Sequence, residues 1–137
     1  MNKVKYDSDL IKIITFFESM TGSKVKDCIS NGGLTFIIGE NDMGKAIGKN
    51  GVNIKRMENA LKRKIKLVEF NPNVAQFVKN ILYPIETLDV STEGGAVIIK
   101  GKDVNSKAKI IGRERQNINH IVKITKRYFD VNEIKVV

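Results

Sequence analysis

The segment Ala46-Ile47-Gly48-Lys49-Asn50-Gly51-Val52-Asn53-Ile54 places two glycines, separated by a lysine and an asparagine, between branched apolar residues. The flanking pattern predicts a helix on each side, so the segment reads as a tight bend between helices. Without a Cβ at Gly48 and Gly51 the backbone can turn sharply, and a sugar-phosphate chain can approach it closely. The free N–H groups and positive dipole end at the start of the following helix suit an anion. Lys49 and Asn50 add a cation and a hydrogen-bond donor at the tip, with Asn53 just beyond. Ile47, Val52 and Ile54 can anchor the bend and line an apolar groove for unstacked bases. Lys45, Lys55 and Arg56 surround it with positive charge.

Outward from this bend the chain repeats. Leu10, Ile13, Ile14 and Phe17 have the spacing of one helix face, and 64 residues later stand Val74, Phe77, Val78 and Ile81. Asp7 or Ser8 is the expected cap of the first helix; Asn71 followed by Pro72 is the expected cap and first turn of the second. Hairpins are predicted at Val25 to Ile29 with Leu34 to Gly39, and at Thr87 to Thr92 with Ala96 to Gly101. Leu34, Phe36 and Ile38 in one copy, and Val97 and Ile99 in the other, form the buried face of a sheet whose opposite face is expected to stay wet. A short helix, a glycine at Gly48 or Gly112, a longer helix and a last strand (Ile65 to Val68, Ile134 to Val137) complete each copy. The fold class is therefore α+β: two tandem α-β-β-α-α-β units, residues 1–70 and 71–137, each a small three-stranded sheet with helices packed on one face. The last strands lie 69 apart rather than 64, so the second copy has a longer final helix or a longer loop after it.

The 137 residues carry 24 Lys and Arg against 15 Asp and Glu, a net charge of +9. This favours an anionic partner, nucleic acid before an acidic membrane. The basic residues cluster: eight against one acid between Met43 and Lys66, and eight against two between Lys102 and Arg127. Each cluster surrounds one of the two bends. Cys28 is the only cysteine, which excludes an intrachain disulfide and suits a buried thiol. Lys12 interrupts the apolar Leu10 to Phe17 stretch and no small-residue cleavage site follows, so that stretch is read as an amphipathic helix of a cytoplasmic protein, not as a signal peptide. The sole histidine, His120, has no ligand cluster around it, and no catalytic triad or nucleotide-binding P-loop pattern is present. No enzyme activity, metal or cofactor is expected. Phe129 falls at helical spacing from Val122 and Thr125, a core position, rather than in a base-stacking platform.

The core from Ile47 to Ile54 and the α-β-β-α-α-β order resemble the K-homology (KH) family in its second topological type. Two such domains in so short a chain resemble the archaeal NusA-like transcription factors, and the resemblance covers nearly the whole sequence. The stretch Ile111-Gly112-Arg113-Glu114-Arg115-Gln116-Asn117-Ile118 is similar to the second loop of that family, where Gly-Gln-Asn commonly follows the variable pair. The resemblance implies binding of single-stranded RNA and a role in transcription elongation, pausing, termination or antitermination, with RNA polymerase as partner. It implies RNA contacts at Lys45, Ile47 to Asn53, Lys55, Arg56, Gly112, Arg113, Arg115, Gln116 and Asn117. A monomer with no membrane partner is expected.

The second loop departs from the pattern: Arg115 stands where the second glycine belongs, and Glu114 puts a negative charge at the tip. Close backbone approach is expected at the first loop, with Arg113 and Arg115 contacting phosphate through their side chains. A scaffold role for the second copy is equally compatible with its sequence. Three other functions fit the residues: a KH factor in ribosome assembly or RNA processing, a small phosphate-ligand enzyme using Gly48 to Gly51 as its anion cradle, and a protein-protein scaffold.

Overall fold

The computed structural model describes residues 8–137, which divide into compact units ending at Phe70 and beginning at Asn71. The first contains α1 (Ser8–Thr21), β1 (Val25–Ser30), β2 (Leu34–Ile38), α2 (Met43–Ile47), a 3-10 turn (Lys49–Gly51), α3 (Val52–Leu61) and β3 (Ile65–Glu69). The second contains α4 (Val74–Leu82), β4 (Thr87–Glu93), β5 (Ala96–Gly101), α5 (Val104–Ile111), a 3-10 turn (Arg113–Arg115), α6 (Gln116–Tyr128) and β6 (Glu133–Val136). The 64-residue period thus reproduces an entire element order. The last strand begins at Glu133 rather than Ile134, 68 residues after Ile65, and its offset has two sources: α6 has 13 residues against 10 in α3, and Phe129 to Asn132 replaces the shorter Lys62 to Lys64 connection.

Each sheet pairs its first two strands antiparallel and its last two parallel, in the orders β1-β2-β3 and β4-β5-β6. A tight turn serves the antiparallel pair. Parallel neighbours require a crossover, and the crossover is the helix-bend-helix segment itself. This topology carries each bend out beyond the sheet.

In the first unit, Leu34, Phe36 and Ile38 alternate along β2 onto the face beneath the helices, where Phe17, Cys28, Ala46 and Met57 complete a buried cluster. The Phe17 and Phe36 rings stack with centroids 4.3 Å apart. The opposite face corrects the expectation of a wet surface: Ile29, Thr35, Ile37 and Val68 are buried as well. The apolar pair Ile37-Ile38 ends β2 with one such residue on each face, the pattern of a strand covered on both sides rather than of strict alternation. The second sheet keeps the alternation, with Val97 and Ile99 buried, Ile98 half-buried and Lys100 exposed.

The cap expected at Asp7 or Ser8 lies outside the described side chains. At α4 the cap is Asn73, whose side chain accepts from the Gln76 N–H at 3.0 Å. Asn71 instead accepts from the Asn73 N–H at 2.8 Å, a local turn that spends its side chain two residues before the cap. Phe129 is half-buried against Phe77, centroids 5.5 Å apart, in keeping with a core position.

Cys28 is 1% exposed. Burial, reinforced by the neighbouring Asp27 charge, pushes its thiol up to about 12. Because the folded value exceeds the unfolded one, the neutral thiol contributes stability that is intact below about pH 9 and lost as pH rises toward 12. Above pH 9 the chain should lose up to about 1.4 kcal/mol per pH unit more than its Cys28→Ala variant. Urea unfolding of both proteins at pH 8 and 10.5 measures the difference; parallel curves would exclude it.

Candidate nucleic-acid interface

Gly48 has φ 75 and ψ 168, and Gly112 has φ 76 and ψ 169, a region of backbone space that is essentially glycine-only. The surroundings demand glycine too. A Cβ on Gly48 would lie 2.8 Å from Asn53 Cγ and 2.9 Å from its backbone nitrogen; on Gly112 it would lie 2.7 Å from Asn117 Cβ. The asparagines crowd these positions because each closes its bend. Asn53 Nδ2 donates to the Lys45 carbonyl at 2.8 Å, and Asn117 Nδ2 donates to Lys109 and Ile110 at 3.2 and 3.0 Å. These bonds satisfy carbonyls at the C-terminal end of the preceding helix. Both asparagine amides are thereby turned inward, holding the bend that was expected to hold the ligand.

The second glycine position is different. Nothing lies within 4 Å of a Cβ built on Gly51, so the space above it is open. Its φ of 75 and ψ of 17 are matched by Arg115 at 62 and 20, while Asn50 and Glu114 before them share the left-handed region. Arg115 therefore occupies the same loop shape, at the cost of a left-handed non-glycine residue. Gly48→Ala should lower stability by about 1–3 kcal/mol and displace Asn53. Gly51→Ala should cost only about 1–2 kcal/mol of left-handed backbone strain and leave Asn53 in place. Thermal unfolding and the Asn53 side-chain amide resonances of the two variants check the asymmetry.

The Gly51 N–H donates to the Gly48 carbonyl at 3.1 Å, and the Val52 N–H donates to that of Lys49. Among the described residues, the N–H groups of Lys49 and Asn50 have no hydrogen-bond partner. They sit at an exposed tip just before α3, whose positive dipole end begins at Val52 beyond the left-handed Asn50 and Gly51. Ile47 and Ile54 are half-buried and Val52 is 44% exposed, leaving apolar surface beside the donors. Lys55 and Arg56 are exposed on α3, and Lys45 on α2 makes a long 3.9 Å contact with Asp42. Asp42 is held by the Lys24 N–H at 2.7 Å, which ties the start of α2 to the region before β1.

Two cations of the first cluster have other roles. Arg63 Nη2 donates to Ser30 Oγ at 2.6 Å and to the Gly33 carbonyl at 3.4 Å, bracing the first hairpin. Lys66 is half-buried in β3, and burial lowers its pKa. In the second unit Gly112, Arg113, Arg115, Gln116 and Asn117 are contiguous around the bend, with Arg113, Arg115 and Gln116 exposed. The β6 edge lies outside the loop motif but beside it in the fold. Ile134 and Val136 border a cleft of ≈390 Å³ with Ile111, Arg115 and Ile118. The alternation Ile134-Lys135-Val136 was the available signal, some twenty residues from the loop.

No described helix is long and apolar enough to cross a membrane. A family profile described as KH domain matches residues 12–82. The sequence is 36% identical to a probable transcription termination protein NusA of Methanococcus vannielii, across 98% of this chain and 80% of that one. It is 32% identical to the protein of the same description in Methanocaldococcus jannaschii, across 100% of this chain and 77% of that one. The crystal structure of APE1850 is 26% identical with a TM-score of 0.75, over 96% of this chain and 100% of that one. Together with the paired helix-bend-helix crossovers, these matches show that the chain belongs to the KH-domain family and, within it, to the archaeal NusA-like proteins.

Proposed function

We propose that this chain is a non-enzymatic, cytoplasmic single-stranded RNA-binding factor built of two type II KH domains, residues 1–70 and 71–137. Its first bend holds the RNA backbone, and its second contributes side-chain contacts. The observation that carries this reading is the pair of unpartnered N–H donors at Lys49 and Asn50 beside the open space over Gly51. Phosphate oxygens are acceptors that can approach over Gly51 without meeting a side chain there, and the nearby N-terminal end of α3 favours their charge. Ile47, Val52 and Ile54 supply apolar surface for the attached bases. Lys45, Lys55 and Arg56 add longer-range attraction. Gly48 and Asn53 act by shaping the bend, as Gly112 and Asn117 do in the second unit; Arg113, Arg115 and Gln116 carry the exposed contacts there.

The relatives' description as probable transcription termination proteins supports placing this activity on nascent RNA during elongation, pausing, termination or antitermination, with RNA polymerase as partner. Binding of an oligouridine to about four phosphate contacts should weaken with salt at a log-log slope near −3, roughly −0.7 per contact. Titrations at several salt concentrations test this, and a flat response would reject the charged loop as the site. Copurification of polymerase with the native protein tests the transcriptional role.

A further inference from the structure

Strand β4 forms one edge of the second sheet, on the side away from β6 and the cleft beside the second bend. Beyond its ladder with β5, no residue from Thr87 to Glu93 makes a hydrogen bond or ion pair with the described residues. The outward N–H and C=O groups of the strand are therefore open to another chain. Five of its seven residues are exposed, against two of six in β1, its counterpart in the first unit. Both strands carry a bulge near their start, between Val25 and Asp27 and between Thr87 and Asp89. A bulge filled by a charged residue blunts an edge, and Lys26 fills the first. Leu88, 60% exposed, fills the second. Pro84, Ile85 and Glu86 before the strand and Lys102 and Asp103 after β5 line a cleft of ≈510 Å³. Next to these in the chain stand Tyr83 and Val104, 76% and 80% exposed; with Leu88 they are the most exposed large apolar side chains among the described residues.

We propose that the β4 edge docks an extended, basic segment of a partner protein, which joins the sheet as a fourth strand. The proposal concerns a protein partner and stands apart from the RNA contacts at the bends. Charge identifies the occupant. From Asn80 to Ile99 the chain holds Glu86, Asp89 and Glu93 and no Lys or Arg, the longest cation-free stretch in a chain of net charge +9. Glu86 is paired with Lys102 at 2.7 Å, whereas Asp89 and Glu93 have no partner among the described residues. RNA is repelled by such an edge. A second copy is disfavoured too, because two β4 strands paired antiparallel about Ser91 would set Asp89 against Glu93. Asp89, Ser91 and Glu93 alternate onto the face opposite the buried Val90. The complementary segment therefore carries two Lys or Arg residues four positions apart, one opposite each acid, with apolar residues between them and toward Leu88.

The test titrates the isotopically labelled full chain with a blocked heptapeptide of valines carrying lysine at its second and sixth positions and serine at its fourth. The amides from Leu88 to Glu93 should shift and become slower to exchange with solvent. The same peptide with glutamate in place of both lysines should bind about tenfold or more weakly. Asp89→Lys combined with Glu93→Lys should invert that preference, an outcome that a merely structural role for the acids would not produce. Leu88→Ser should weaken the lysine peptide roughly fivefold without lowering the melting temperature, since the side chain is exposed in the free chain. Unmoved β4 amides, shifts confined to other elements, equal affinity for the two peptides, or a preference that survives the double reversal would each overturn the proposal. Protection of β4 that grows with protein concentration alone would give the edge to a second copy and overturn it as well. Oligouridine titrations of the same samples follow the Lys49 and Asn50 amides, so the RNA-binding reading stands or falls separately.

Discussion

Replacing Lys49 and Asn50 together by aspartate should lower oligouridine affinity roughly 30- to 150-fold, about 2–3 kcal/mol, while leaving the melting temperature nearly unchanged. The two effects separate because both side chains are exposed and neither has a partner among the described residues. Two carboxylates at the tip would meet phosphate charge directly, and the bare N–H groups behind them would no longer be reachable by an anion. The bend survives because its shape depends on Gly48 and on the Asn53 bond to Lys45, neither of which changes. Charge reversal at Arg113 and Arg115 should weaken oligouridine binding less, since Glu114 already offsets positive charge at that tip. Fluorescence titration with thermal unfolding of the same samples checks both points. An equal or reversed ranking would contradict the assignment of the first loop as the principal backbone site.

Phe36→Ala should remove about 3–5 kcal/mol from the first unit, a large part of the roughly 5–15 kcal/mol that holds a typical domain together. Phe36 is fully buried on the central strand, stacked on Phe17 and paired in register with Cys28 on one side and Leu67 on the other. Truncation there opens a cavity where α1 meets the sheet. The expected outcome is loss of first-unit amide dispersion and RNA binding near physiological temperature. Native-like dispersion with only a small shift in denaturant midpoint would show that the cluster can close around the smaller side chain.

The element order and both bends were legible because their determinants are local. Gly48 and Gly112 stand out in sequence because the required backbone conformation excludes side chains. The apolar faces of α1 and α4 repeat at the same offset because both pack against the same kind of sheet. Local reading failed where one residue's role depends on a distant one. Arg63 and Lys66 add to the charge tally of the first basic cluster, but Arg63 braces a hairpin thirty-three residues earlier and Lys66 is half-buried in the sheet. Asn71 looked like a helix cap because its type and the following proline fit one; the actual cap at Asn73 follows from a local turn that uses the first asparagine differently.

By itself the sequence determined the repeat, the positions of the bends, the basic surroundings and the single-cysteine, packing-dependent character of the protein. These follow from residue type and spacing, and therefore survive without coordinates. Only the tertiary structure decided which donors are bare, that the two asparagines close the bends, and that Arg115 reproduces the loop shape of Gly51 and borders a cleft with β6. Hydrogen-bond occupancy and cleft walls arise when segments distant in the chain are brought together by the parallel crossover, and no local pattern encodes which atoms then remain unpaired.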